Sequence, residues 1–149
     1  MDGKPFWNLM DRALPVEIAE TEVEFINQSY FRAADVIGDV EYRYILEKFN
    51  EKIANVNLSK HGWVTEMANA YSHLFAAARE HNEGRNKLTD EAYKLICAAV
   101  FYFVNPFDVI PDHIPDVGYA DDFLVLQTCL KTLKGGDAEI IATLMGNGE

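Results

Sequence analysis

Apolar residues recur every three or four positions along nearly the whole chain, and stretches of strict apolar/polar alternation are scarce, which predicts an all-α fold. After Pro15, which suits a first helical turn, Ala19, Val23, Ile26, Tyr30, Ala33 and Ile37 step at helical spacing up to a stop at Gly38. A second helix is predicted over about Val40 to Val56, with Tyr42, Ile45, Phe49, Ile53 and Val56 on one face and Glu41, Lys48, Glu51 and Lys52 elsewhere. A third, capped by Ser59, runs to about His81 on a stripe of Trp63, Met67, Tyr71, Leu74, Phe75 and Ala78.

Thr89 followed by Asp90 and Glu91 marks the fourth helix start, because a hydroxyl accepts from the orphan first-turn amides and acids suit the positive end of the dipole. From Leu95 to Phe107 there are thirteen residues without a charge, so this helix is predicted to be central and buried on most sides. The run is too short for a membrane span, which needs about 20 such residues, and Asn105-Pro106 and Asp108 interrupt it. A fifth helix is predicted over about Tyr119 to Leu133, with Phe123, Leu126, Leu130 and Leu133 inward and Gly135-Gly136 ending it. Asp137 is the predicted cap of a short sixth helix carrying Ile140, Ile141 and Leu144.

A chain of 149 residues, 49% of them apolar, can build one well-buried core and is short for two. We therefore expect a single-domain bundle of five to six helices with a rigid Pro/Asp-rich connector between the fourth and fifth. Within it, residues 1–14 form a docking arm, with homodimerisation as its alternative use, because Phe6, Trp7, Leu9 and Met10 are apolar. Residues 15–88 hold three amphipathic helices, 89–134 the helix-connector-helix unit, and 135–149 a short helix and tail.

Charge and cysteine usage change the list of partners. A net charge of -11, with no Lys or Arg between Lys94 and Lys131, opposes nucleic acid and disfavours anionic lipid headgroups. Cys97 and Cys129 lie in apolar stretches and read as small buried thiols. The opening Met-Asp-Gly-Lys-Pro-Phe-Trp lacks the basic-then-apolar pattern of a secretory signal, so a cytoplasmic location is the default expectation.

One segment departs from the helical pattern. Between Asn105 and Asp122 fall three of the five prolines and five of the eleven aspartates. Pro106, Pro111 and Pro115 each remove an amide donor and fix a torsion, so no uninterrupted helix crosses it. Phe107, Val109, Ile110, Ile114 and Val117 are too apolar to stand in water together, so the connector is expected to fold back on the bundle with its aspartates at the surface or in a cleft.

The run from Tyr102 to Pro115, with Gly118-Tyr119 and Asp121-Asp122, resembles the signature of the YkvA-like family, a domain of unknown function. Its pattern, P-x-D-[LVI]-I-P-D-x-I-P-x-x-G-x-x-D-D, is matched at each fixed position, and the resemblance covers about residues 92–126. It implies a fold and a membership, with membrane association anticipated for some members, and no established reaction.

Two roles for the aspartates follow from their chemistry. In the structural one, Asn105 caps a turn opened by Pro106, Asp108 and the Asp121-Asp122 pair occupy first helical turns, Asp112 and Asp116 accept amides in turns, and Gly118 supplies a left-handed torsion. In the sharper one, Asp108, Asp112, Asp121 and Asp122 converge, and a hard divalent cation, magnesium or calcium, relieves their repulsion. The spacing is neither a calcium-loop pattern nor a pair of acids one helical turn apart, and adjacent side chains diverge by about 100° on a helix. The four histidines are too scattered for a metal pair, and no phosphate loop, nucleophile elbow or zinc pattern is present.

The reading that follows is a non-enzymatic module binding a protein or, peripherally, a membrane surface. Its recognition surface is Pro106, Phe107, Asp108, Pro111, Asp112, Ile114, Pro115, Gly118 and Tyr119, and it needs no cofactor. The alternative is a divalent-metal-dependent hydrolase built on the four aspartates.

Overall fold

A computed structural model of the chain describes residues 18–58, 62–105 and 119–147. Six α-helices and a closing π-turn make up those residues: α1 (Glu20–Val36), α2 (Asp39–Val56), α3 (Gly62–Asn82), α4 (Asp90–Val104), α5 (Ala120–Thr132) and α6 (Gly135–Ala142), then Thr143–Asn147. The described part is an all-helical bundle, as the spacing predicts. The docking arm, the Ser59 cap and the connector itself lie outside the described residues.

α4 is the central helix, packing against α1, α2, α3 and α5. Its uncharged run explains the position: Ile96, Ala98, Ala99, Val100 and Phe103 are all fully buried, and the alanines let neighbouring helices approach closely on several sides. The predicted stripes of α2 and α3 face this core through Ile45, Phe49 and Val56, and through Met67, Tyr71, Leu74, Phe75 and Ala78. Phe49 stacks on Phe75 with ring centroids 4.2 Å apart, joining the two helices. Among the described residues no helix is long and apolar enough to cross a membrane.

Two helix starts differ from their predicted places. α1 begins at Glu20 and not near Pro15, because Ile18 and Ala19 are non-helical and Ala19 has extended backbone. The Glu22 carboxylate accepts from the Ala19 N–H at 3.3 Å, and this back-bond sets the start. α2 starts the same way, Glu41 accepting from the Gly38 N–H at 2.8 Å.

α6 begins at Gly135, so Gly135-Gly136 opens it and does not serve only to end α5; Gly135 has φ +57°, which favours glycine. Asp137 is therefore not a cap of α6. It lies in the first turn, and its carboxylate accepts from both the N–H and the hydroxyl of Thr89, each at 2.9 Å. Thr89 meanwhile caps α4 as predicted, its Oγ1 accepting from the Ala92 N–H at 3.1 Å.

Candidate functional site

The Pro/Asp segment leaves the end of α4 and enters the start of α5, so these two helix ends define its anchorage. α4 closes at Asn105, whose N–H donates to the Phe101 carbonyl at 2.9 Å. What Asn105 caps beyond that point lies outside the described residues, as do Pro106, Phe107, Asp108, Pro111, Asp112, Ile114, Pro115 and Gly118 of the predicted surface. Tyr119 is described: half-buried, it is the residue immediately before α5.

Asp121 and Asp122 correct the expectation of aspartates at the surface or in a cleft. Both have 0% of their surface exposed. The reason is the environment of α5, which buries every residue from Ala120 to Gln127 and so presents no polar face in its first two turns. The predicted first-turn placement is right; the solvent-facing orientation is not.

The Asp121 carboxylate and the Asp122 backbone are hydrogen-bonded within the bundle. Asp121 accepts at Oδ1 from the Asp122 N–H at 3.0 Å and at Oδ2 from the Tyr102 hydroxyl at 3.3 Å. The Tyr71 hydroxyl donates to the Asp122 backbone carbonyl at 2.5 Å, tying α3 to α5 across the core. Tyr71 also stacks nearly parallel on Phe103 of α4, with centroids 4.2 Å apart and planes 9° from each other. One side chain thus clamps three helices at the place where the segment re-enters the bundle.

Electrostatics agree with a structural donor. Burial, followed by the nearby negative charge of Asp122, raises the Tyr71 hydroxyl well above its ordinary range, so it keeps its proton. Charge of the other sign reaches the same end from α2, where Lys52 Nζ lies 5.5 Å from the Phe103 ring centroid and 5.6 Å from that of Tyr119. Cys129 is also buried here, and burial pushes its thiol up to about 12; at Cys97 the same cause gives about 11. Both thiols are free and buried, as their apolar neighbourhoods predict.

Of the four aspartates in the metal reading, two are adjacent and fully buried, and two lie outside the described residues. Among the described residues no group of three or more His, Cys, Asp or Glu side chains is arranged to hold a metal ion. Tyr71 and Lys52 are the residues the sequence reading placed without their roles. Tyr71 sits in the predicted buried stripe, and a buried phenol needs an acceptor, so its inward position was itself the signal. Lys52 carries no such signal, because its helix face reads as solvated.

A family model described as "Protein of unknown function (DUF1232)" matches residues 92–127. No curated protein matches the chain, and no solved structure does. The matched stretch runs from the first turn of α4, across the Pro/Asp segment, to Gln127 in α5: the chain is similar to a family of unknown function over the same helix-segment-helix unit that Tyr71 clamps.

Proposed function

We propose that this protein is a non-enzymatic helical interaction module that displays the Pro/Asp segment to a partner protein. The observation supporting this reading is the complete burial of Asp121 and Asp122, with the Asp121 carboxylate accepting from the Asp122 N–H and the Tyr102 hydroxyl inside the bundle. Carboxylates so placed hold an architecture, and here they fix the re-entry of a segment whose prolines already restrict its torsions. A segment with few conformations to lose binds at a smaller entropic cost. Its match to the P-x-D-[LVI]-I-P-D-x-I-P-x-x-G-x-x-D-D pattern supports kinship with the YkvA-like proteins as part of this reading, and the lack of a secretory pattern at the start of the sequence supports a cytoplasmic location.

The test is crosslinking and affinity recovery with the full chain against a Phe107→Ser/Ile114→Ser variant of unchanged thermal midpoint. Specific recovery by the wild type that the variant loses supports the reading; equal recovery by the folded variant overturns it. Sedimentation with phosphatidylserine vesicles separates the membrane form of the idea, since net charge -11 predicts that the chain stays in the supernatant.

A divalent-metal-dependent hydrolase is the second reading, favoured by one observation: two carboxylates share a fully buried helix start, where a hard cation would neutralise them strongly. Asp108 and Asp112 would complete the ligand set for magnesium or calcium. Titration calorimetry with each ion distinguishes the two readings, because saturable heat lost in Asp108→Asn/Asp112→Asn would replace the first with the second.

A further inference from the structure

A second place on the molecule, remote in sequence from the Pro/Asp segment, combines shape and charge. The turn after α3 and the start of α6 enclose an open groove of about 670 Å³, within the roughly 300–1,000 Å³ that small-molecule sites occupy. Arg85, Lys87 and Lys134 line it. Three of the chain's thirteen basic side chains therefore face one concavity, on a protein whose net charge is -11.

The walls are built and held. Asn86 donates from Nδ2 to the Ala77 carbonyl at 3.0 Å and accepts at Oδ1 from the Leu88 N–H at 3.3 Å, which fixes the backbone on both sides of Lys87. Leu88 is buried, pinning the turn to the core. The opposite wall is tied to it through the two Asp137–Thr89 hydrogen bonds. Asp137 is the one acid lining this groove, and both of its oxygens are engaged there. Glu91 lies in the smaller adjoining groove, which shares Lys134 and Asp137.

The basic groups are unequal. Arg85 is paired with Glu83, whereas Lys87 and Lys134 form no ion pair among the described residues. Lys134 also precedes the first residue of α6 without any side-chain cap there, so its ammonium adds to the positive end of the helix dipole instead of offsetting it. Two lysines lining one concavity raise its positive potential, and an anion with several oxygens is the ligand class that accepts from ammonium groups.

We propose that this groove binds a small phosphate-bearing anion, held by Lys87 and Lys134 with Arg85 at the rim. Charge complementarity selects the sign of the ligand, and the size of the concavity selects a small molecule over an extended chain. The residues lining this groove are none of those proposed for the partner surface, and either proposal can fail without the other.

Inorganic pyrophosphate is the probe, titrated into the ¹⁵N-labelled full chain at low ionic strength. The expected result is saturable shifts confined to the amides of residues 85–89 and 134–137. Affinity should fall by about tenfold or more in Lys87→Gln/Lys134→Gln and stay unchanged in Lys48→Gln, an exposed lysine on α2. Non-saturating shifts up to about 10 mM, shifts spread over the surface, or equal loss in the Lys48→Gln control would overturn the proposal. Tighter binding of an octaglutamate peptide than of pyrophosphate would overturn it as well, in favour of an acidic polypeptide. Thermal melts of both variants establish that they are folded.

Discussion

The starts of α5 and α6 look alike in sequence and behave oppositely in the fold. Each places acid in a first helical turn, Asp121 and Asp122 in one and Asp137 in the other, where the dipole favours a negative charge. At α5 both acids are wholly buried, and Asp121 engages Tyr102 and the adjacent Asp122 N–H. At α6 the acid lies at a half-buried rim and reaches across to Thr89 of another helix. The local rule is the same in both; the tertiary surroundings decide whether the carboxylate locks a core or staples a surface.

That contrast predicts unequal costs. Tyr71→Ala removes the stacked ring and the hydroxyl that clamp α5 and should destabilise by about 3–5 kcal/mol. Tyr71→Phe keeps the ring and isolates the hydrogen bond, for about 1–2 kcal/mol. Asp121→Ala leaves the half-buried Tyr102 hydroxyl and the buried Asp122 amide without that acceptor, a loss of about 2 kcal/mol. Urea denaturation of the three variants gives the order directly. Asp121→Ala near wild-type stability would show that the buried acid does not hold the helix start.

The α6 start should respond more weakly. Asp137→Ala loses two hydrogen bonds at a rim that water can reach, so the expected cost is about 1 kcal/mol, or about 2–4 °C in thermal midpoint for a chain of this size. Thr89→Val should cost a similar amount, since it removes the cap of α4 and one of the same bonds. A double-mutant cycle joining them should show positive coupling, because the two residues share that contact. Strict additivity would mean the staple across the groove is inert.

Much of the bundle was legible in the sequence, for a reason visible in α4 and α2. Helical spacing of large apolar residues dictates which face is buried, and Thr89-Asp90-Glu91 states a helix start in chemistry that needs no tertiary partner. The failures lie where a partner distant in the chain decides. Pro15 satisfies the rule for a first turn, yet the Glu22 back-bond to Ala19 places the start later. Asp137 has the composition of a cap, yet Thr89, forty-eight positions earlier, claims its carboxylate. At the candidate site the sequence marked Asp121 and Asp122 as first-turn acids; that they are sealed depends on the first two turns of α5 being enclosed on all sides, which no local pattern in residues 119–133 encodes.

The smallest effect concerns pH, and it probes α3 between the two helix starts. Burial lowers the pKa of the half-buried His73 from its ordinary value. As pH falls, the unfolded chain therefore takes up a proton on His73 before the folded chain does. Stability from this residue is complete above about pH 6.5, the unfolded value, and declines as pH falls from there through the folded pKa. His73→Gln removes that titration while keeping a polar side chain of similar reach. Thermal midpoints measured from pH 7.5 down to pH 5.5 should fall more steeply for the wild type than for the variant, with the other histidines and the acids contributing equally to both. Parallel curves would mean that His73 is as well hydrated in the bundle as in the unfolded chain, and that the partly buried face of α3 is open to water.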